Sequence, residues 1–174
     1  NAVRHSDYRI AKKEVNDLCV YRGIGEAKAI TIIAALELGR RRRDEQVVDV
    51  PVLNSSKRVY EYFRANLQDI PHEEFWVLYL NTGCKVLDTQ LIGRGGNDFT
   101  PVYVRIILRH ALQSKANSMI LIHNHPSGTL QPGQADKLLT NKINDAAKIM
   151  DIKVNDHIIF TDTAYYSFRD EGLL

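Results

Sequence analysis

Two histidines followed by an aspartate form the densest group of chemistry-bearing residues in the sequence. They lie in Ile122-His123-Asn124-His125-Pro126-Ser127-Gly128, and Asp136 follows His125 after ten intervening residues. If this segment ends a strand, alternation places both imidazoles on one face, with Cα atoms about 7 Å apart. Neutral imidazoles and a carboxylate are zinc ligands, and a catalytic zinc usually has three protein ligands and one open position. The spacing therefore predicts one Zn²⁺ per chain, held by His123, His125 and Asp136.

The same three residues also have a purely structural interpretation. Histidines two positions apart are often satisfied by backbone groups, and an aspartate in a first helical turn complements the helix dipole. Against this stands the cost of burying two imidazoles at the end of an apolar strand without a partner. A metal ion is one such partner, so the metal site is the more specific hypothesis.

Amide hydrolysis at a zinc site also needs a general base for the attacking water. Glu73 and Glu74 directly precede the apolar run Phe75-Trp76-Val77-Leu78-Tyr79-Leu80, and either carboxylate could serve. Their structural interpretation is a solvated strand edge. The residues alone do not choose between the two glutamates.

Alternating strands and helices are predicted to position these groups. Phe75 to Leu80 and Lys85 to Ile92 are typical of a hairpin turning through Asn81 to Cys84. Ser118 to His125 is typical of a buried strand, and Gln134 to Met150 of an amphipathic helix. Three further elements are predicted. Ser55 or Ser56 can cap a helix that runs to about Leu67. Thr100-Pro101 starts a helix from Val102 to Leu112, and Asp151 to Phe160 supplies one or two strands. This order predicts a three-layer α/β domain with a mixed sheet.

A smaller helical segment precedes this domain. Glu14 to Tyr21 and Glu26 to Leu38 are predicted helices, separated by Arg22-Gly23-Ile24-Gly25. Residues 1–45 carry a net charge of +3 and residues 46–174 a net charge of −1. We therefore expect a partial helical segment at 1–45 and an α/β domain at 50–174, with the boundary near residues 44–52.

Composition excludes several classes of protein. With 174 residues, 44% of them hydrophobic, and only two cysteines, the chain can hold a core without disulfides. No apolar run is long enough to span a membrane, so we expect a cytoplasmic protein with no membrane partner. Cys19 and Cys84 are too far apart for a deaminase cysteine pair, and the sequence has no phosphate loop and no nucleophile elbow. His157, beside Asp156, is expected to pack structurally at a strand end.

The histidine-aspartate spacing resembles the JAMM motif of MPN-type metalloproteases, and the surrounding residues resemble more narrowly the bacterial RadC family. The matching stretches are Glu73 to Asn81, His123 to Gly128, and Asp156-His157 with Tyr166-Ser167-Phe168. The resemblance runs from about residue 20 to the C-terminus. It implies a cytidine-deaminase-like α/β fold and a mononuclear zinc site. It also implies that His123, His125 and Asp136 are the ligands and that Glu73 is the acid/base.

One position departs from the JAMM pattern. Such sequences usually carry Ser three residues before the Asp, as part of the oxyanion-stabilising site, and this chain has Gly133. Loss of one oxyanion donor costs about 100-fold or more in rate. We hypothesise that Ser127 or a backbone N–H partly substitutes, or that peptidase activity is weak.

The segment Gly23-Ile24-Gly25-Glu26-Ala27-Lys28 resembles the hairpin of a helix-hairpin-helix motif in the N-terminal part of RadC proteins. Glycines let a backbone approach a phosphate, and a helix N-terminus favours anions. Gly23, Gly25 and Lys28 are thus candidate DNA-binding residues, although a tight interhelical turn explains them equally well.

Taken together, the sequence predicts a RadC-type zinc hydrolase, most plausibly a metallopeptidase acting on a peptide or protein substrate. The resemblance adds an association with DNA repair by family label, which says nothing about the chemistry. The alternative is a non-catalytic DNA- or protein-binding module of the MPN type. The oligomeric state is not readable from these residues.

Overall fold

The computed structural model describes residues 13–44, 50–95 and 102–174. Two compact units divide the chain, Asn1–Asp49 and Val50–Leu174, and each is described by itself. Thr100 and Pro101, the predicted helix start, lie outside the described residues, as does most of the predicted boundary. Within the described ranges, no helix is both long and apolar enough to cross a bilayer.

The first unit contains helices α1 (Val15–Cys19) and α2 (Glu26–Asp44). Helix α1 ends earlier than predicted, because Leu18 is its buried residue while Val20 and Tyr21 are exposed and the chain turns there. Helix α2 runs beyond the predicted end at Leu38, straight through Gly39. Glu37 explains this extension, since its carboxylate accepts hydrogen bonds from Arg40 and Arg41 at 2.8 Å, one turn further along.

The second unit is an α/β domain. Its elements are α3 (Ser56–Leu67), β1 (Glu74–Leu80), β2 (Val86–Arg94), α4 (Val104–Gln113), β3 (Ser118–Asn124), α5 (Gln134–Ile149), β4 (Lys153–Phe160) and β5 (Tyr165–Ser167). Ser55 caps α3 as predicted by accepting a hydrogen bond from the Arg58 N–H. Helix α4 begins at Val104, two residues later than predicted. Tyr103, its N-cap residue, has extended backbone, and Val102 before it packs against the core.

The five strands form one mixed sheet in the order β2-β1-β3-β4-β5. Strand β1 pairs antiparallel with both β2 and β3, and β3 pairs parallel with β4. The predicted hairpin between β1 and β2 is present. Asn81 Oδ1 closes it by accepting hydrogen bonds from the Gly83 and Lys85 N–H groups at 2.9 and 3.0 Å.

Helices cover both faces of the sheet and confirm the predicted three layers. On one face, Phe63 of α3 packs with Leu78 and Ile122. On the other face, Ile107 of α4 and Ile143 of α5 pack in a second cluster with strand residues. That second cluster contains Phe75, Val77 and Tyr79 of β1 and Met119 and Leu121 of β3. Alternation along β3 therefore directs His123 to the layer of α4 and α5.

Candidate metal centre

The end of β3 brings the two histidines of the motif together. His123 lies opposite Phe75 in the β1–β3 ladder and is buried. His125 follows the strand, and its backbone N–H donates to the Phe160 carbonyl at 2.8 Å. The two ring centroids are 4.5 Å apart, with the ring planes nearly perpendicular. As the alternation predicted, both imidazoles converge on one place.

Hydrogen bonding prepares His125 to be a ligand. Its Nδ1 lies 2.6 Å from the Thr129 carbonyl oxygen. A carbonyl only accepts, so Nδ1 carries the proton and Nε2 presents its lone pair. The loop returns to this carbonyl through a tight turn in which the Gly128 N–H donates to the His125 carbonyl at 3.0 Å and Gly128 has φ +79°. That left-handed conformation suits glycine.

Burial keeps His123 neutral. Removal from water lowers its pKa to about 4, with the nearby Asp136 carboxylate opposing the shift and His125 adding to it. At pH 7 the imidazole is therefore available as a ligand without losing a proton first. Its Nδ1 atom is buried and has no hydrogen-bond partner among the residues that the structure describes.

Asp136 comes from the first turn of α5 and faces both histidines. Its Oδ1 lies 3.8 Å from His123 Nε2, and its Oδ2 lies 3.8 Å from His125 Nε2. The Gly133 N–H, at the N-cap of α5, donates to Oδ2 at 2.8 Å and so orients the carboxylate. Nitrogen and oxygen ligands of one tetrahedral zinc lie about 3.3 Å apart. A slight contraction of this cluster would therefore accommodate the ion.

Glu73 approaches the same point from the segment before β1. Ligand atoms of Glu73, His123 and His125 all lie within 4.8 Å of one another. Partial burial raises the pKa of the Glu73 carboxyl, His125 opposes that shift and Asp136 adds to it. Two imidazoles thus have a carboxylate close by in Glu73 and a second in Asp136, and this donor set fits zinc. Either carboxylate is within reach as the third ligand.

Glu74 has a different role from its neighbour. Its side chain accepts hydrogen bonds from Trp76 Nε1 and Arg94 Nε, both at 2.8 Å, and its Oε1 lies 3.0 Å from His72 Nε2. Burial favours the neutral acid, but these hydrogen bonds outweigh it and leave the Glu74 pKa below its ordinary value. The structure therefore separates the two glutamates, with Glu73 at the candidate metal centre and Glu74 in a structural network.

A cavity of about 470 Å³ opens over this cluster. Phe75, Val102 and Leu139 give it an apolar wall, and Ser127, Thr129 and Gln131 line its polar side. Ser127 is exposed, donates to Thr129 Oγ1 at 3.2 Å and accepts from the Thr129 N–H at 3.4 Å. It lines the cavity but is tied to its own loop. Its suggested role in oxyanion stabilisation remains a prediction.

His157 and Thr140 hold the first turn of α5, which carries Asp136, and the sequence did not predict this role. His157 is fully buried within β4, and not at a strand end as expected. Its Nδ1 lies 2.6 Å from Thr140 Oγ1, which also donates to the Asp136 carbonyl at 2.6 Å. Burial, with His123 and His125 nearby, holds the His157 pKa well below 6.5. These contacts tie the first turn of α5 to β4.

In the first unit, the predicted DNA-binding residues lie in the turn between α1 and α2. Gly23 has φ +88°, and Gly25 accepts the first helical hydrogen bond of α2 from the Ala29 N–H. Lys28 Nζ donates to the Gly23 carbonyl at 2.9 Å, so this ammonium closes the turn. A Cβ at Gly23 or Gly25 would meet no atom within 4 Å, which leaves the backbone open on that side.

Comparison with known proteins defines the class. A family profile described as a RadC-like JAB domain matches residues 53–173. The chain belongs to this family, and the resemblance of its α/β domain to RadC proteins is confirmed. The helix-hairpin-helix resemblance of the N-terminal segment stays a prediction.

Three relatives that align with more than nine-tenths of this chain share the name UPF0758. This chain is 48% identical over 162 residues to a "UPF0758 protein" of Flavobacterium johnsoniae, and the alignment covers 93% of this chain and 71% of the relative. It is 40% identical over 168 residues to a "UPF0758 protein" of Porphyromonas gingivalis, covering 95% and 74%. A third relative, "UPF0758 protein PSHAa2643" of Pseudoalteromonas translucida, is 34% identical over 167 residues, covering 96% and 75%.

Proposed function

We propose that this protein is a zinc-dependent hydrolase, specifically a metallopeptidase of the RadC type. The observation that carries the proposal is the convergence of Glu73, His123, His125 and Asp136 at the floor of one cavity. In an apolar neighbourhood such a group of titratable side chains is costly unless an ion or a reaction uses it.

His123, His125 and Asp136 would hold the zinc, one ion per chain. When bound, zinc acts as a Lewis acid that polarises a carbonyl and lowers the pKa of a coordinated water to about 7. The protein prepares its ligands beforehand, because His125 is held in one tautomer by Thr129 and His123 is kept neutral by burial. This preparation lowers the reorganisation needed on metal binding.

Glu73 would move the proton. Its carboxylate takes a proton from the attacking water and later gives it to the leaving amide nitrogen. Partial burial raises its pKa, which makes it a better base than a solvated glutamate. Phe75, Val102 and Leu139 would exclude water from the substrate side of the cavity, and Ser127 or a backbone N–H would stabilise the oxyanion.

A peptide library tests this function directly. Zinc-loaded wild type is incubated with tryptic peptides of a bacterial proteome in H₂¹⁸O, and new termini are identified by mass spectrometry. We expect cleaved amide bonds with one ¹⁸O in the new carboxylate. Glu73→Gln should lose at least about 100-fold in rate while still binding zinc. Glu61→Gln, an exposed glutamate of α3, is the matched control and should cleave like wild type.

Absence of cleavage by a fully zinc-loaded wild type would favour the alternative, a non-catalytic MPN-type binding module. A Glu73→Gln variant as active as wild type would also overturn the assigned mechanism. In that case Glu73 would be only a neighbour of the ligands.

A second candidate function is sequence-independent DNA contact by the turn between α1 and α2, which would fit the DNA-repair label of the family. The open backbone at Gly23 and Gly25, ahead of the N-terminus of α2, favours it. We expect duplex or branched DNA to bind with an affinity that falls as salt rises, and Gly25→Glu to weaken it. Equal affinity at 50 and 200 mM salt, or none at all, would exclude this contact.

We also infer a reducing, cytoplasmic setting. Cys19 and Cys84 are free thiols, one exposed and one half-buried, and such thiols persist where the compartment is reducing.

A further inference from the structure

Asn124 lies between the two histidines of the candidate metal centre, and its side chain bridges to the segment that carries Glu73. Its Oδ1 accepts a hydrogen bond from the Glu74 N–H at 2.7 Å, and its Nδ2 donates to the His72 carbonyl at 2.9 Å. The two bonds fall on the residues immediately before and after Glu73. We propose that Asn124 is the positioning residue that holds Glu73 against His123 and His125.

The register of the sheet leaves a place for such a residue on the β3 side of Glu73. On the β2 side the Glu73 carbonyl accepts a hydrogen bond from the Gly95 N–H at 2.8 Å. The β1–β3 ladder, in contrast, ends at the pair Phe75 and His123, so Glu73 lies beyond regular pairing between these two strands. One primary amide carries both a donor and an acceptor. Asn124 therefore continues the pairing of β3 with the incoming chain by means of its side chain, after the backbone ladder has ended.

The environment makes these two bonds strong constraints. Asn124 and Glu74 are both buried, with relative exposures of 4% and 1%, so water does not compete for their polar groups. If the amide were removed, the Glu74 N–H would be left buried without an acceptor, which is costly. The Glu74 side chain is held by Trp76 and Arg94 at the same time. Backbone and side chain thus fix the residue that follows Glu73.

This inference rests on the proposed hydrolase function for its catalytic consequence but not for its geometry. A displacement of about 1 Å in a catalytic group can cost about 100-fold in rate. Asn124 does not itself line the cavity, so the effect of its side chain on rate would pass through Glu73. Its removal should then lower kcat while KM and zinc affinity stay near their wild-type values.

Asn124→Ala and Asn124→Asp test the proposal, with Asn155→Ala as the matched control. Asn155 is also an asparagine whose Nδ2 bridges two strands, donating to Ser118 Oγ at 2.9 Å from β4 to the start of β3. Asn124→Asp keeps the acceptor for Glu74 but loses the donor to His72, and it keeps the test decisive should Asn124→Ala fail to fold. The readouts are amide hydrogen exchange by NMR, zinc affinity by competition with a chromophoric chelator, and peptide hydrolysis.

In Asn124→Ala we expect the Glu74 amide to exchange at least about tenfold faster than in wild type, because its acceptor is lost. We expect kcat to fall about 100-fold, zinc affinity to stay within about threefold, and Asn124→Asp to lie between this variant and wild type. Asn155→Ala should match wild type in both the exchange of Glu74 and kcat.

Unchanged exchange at Glu74 in Asn124→Ala would overturn the proposal, and so would a wild-type kcat in a variant whose Glu74 exchanges rapidly. The two proposals fail separately. A wild type that hydrolyses nothing, together with rapid Glu74 exchange confined to the Asn124 variants, would contradict the hydrolase function and support the positioning.

Discussion

Oδ1 of Asp136 lies 3.8 Å from Nε2 of His123. The two residues come from different elements, Asp136 from the first turn of α5 and His123 from the end of β3. The fold therefore aims the N-terminus of α5 at the strand that carries the histidines. The second oxygen of the same carboxylate is equally far from His125 Nε2, so Asp136 faces both histidines, and we propose it, in preference to the nearby Glu73, as the third ligand.

Asp136→Ala should therefore weaken zinc binding by more than about 100-fold, beyond the effect typical of groups that only support a ligand. Glu73→Gln should change the zinc dissociation constant by less than about tenfold, since we assign Glu73 to proton transfer. Asp145→Asn, an exposed carboxylate of the same helix, is the control. Competition titration measures the zinc affinity of the three variants. If Glu73→Gln weakened zinc binding more than Asp136→Ala does, Glu73 would be the third ligand.

The neighbouring glutamates should differ in their effect on stability. Glu74→Gln should lower the free energy of unfolding by about 1–3 kcal/mol, because a buried charged acceptor of Trp76, Arg94 and His72 is replaced by a neutral amide. Glu73→Gln should not destabilise, since it removes a partly buried charge near Asp136. Urea unfolding of metal-free protein measures both, and equal losses would refute the separation of roles.

The two glutamates also show where sequence reasoning ended. Both come just before the apolar run at Phe75, and only the folded register decides that Glu74 is the first residue of β1. There it meets Arg94, its partner in the β1–β2 ladder, twenty residues away along the chain. The histidines were predictable because their spacing matches a strand and their burial needs a partner. The link from His157 through Thr140 to Asp136 was not, because nothing local reports a contact across seventeen residues.

Local signals also misplaced several element ends. Gly39 is a typical helix terminator, but α2 continues through it, since Glu37 pairs with Arg40 and Arg41 on the far side. The contact of Asn124 with the segment around Glu73 was also not predictable, for a different reason. Alternation sends the Asn124 side chain away from the face of His123, so the strand pattern gave no reason to link it to Glu73.

Gly133→Ser should increase hydrolysis, by up to about 100-fold, if the missing oxyanion donor limits the rate. The site accepts the change, because φ −67° and ψ 167° suit serine and the new Cβ would lie 3.4 Å from Asp136 Oδ2. As an N-cap, Ser should add a few tenths of a kcal/mol to stability. Cleavage rates at equal zinc occupancy provide the measurement.

Ser127→Ala supplies the companion measurement. It should slow the wild type but have little effect in the Gly133→Ser background, where the serine at position 133 takes over. No gain from Gly133→Ser at unchanged zinc affinity would count against this account of the departure from the motif.

His157 should make stability depend on pH. Its pKa in the folded protein lies well below 6.5, chiefly because of burial, so below pH 6.5 the unfolded chain binds a proton that the folded protein does not. Stability is therefore lost as pH falls, by roughly 1 kcal/mol between pH 7.5 and 5.5 for this one group. Urea unfolding of metal-free wild type and His157→Gln at pH 7.5 and pH 5.5 isolates the contribution of His157. The difference in free energy of unfolding between wild type and the variant should shrink by that amount at the lower pH. A difference that is the same at both pH values would contradict the lowered pKa.

Metal content tests the central claim most directly. Wild-type protein purified without chelators, and His123→Ala/His125→Ala prepared in parallel, are compared by elemental analysis after both are shown to be folded by circular dichroism. We predict about one zinc per chain in the wild type and none in the folded double variant. A wild type that holds no zinc even after reconstitution, or a double variant that holds as much as wild type, would contradict the assignment of this cluster as a zinc centre.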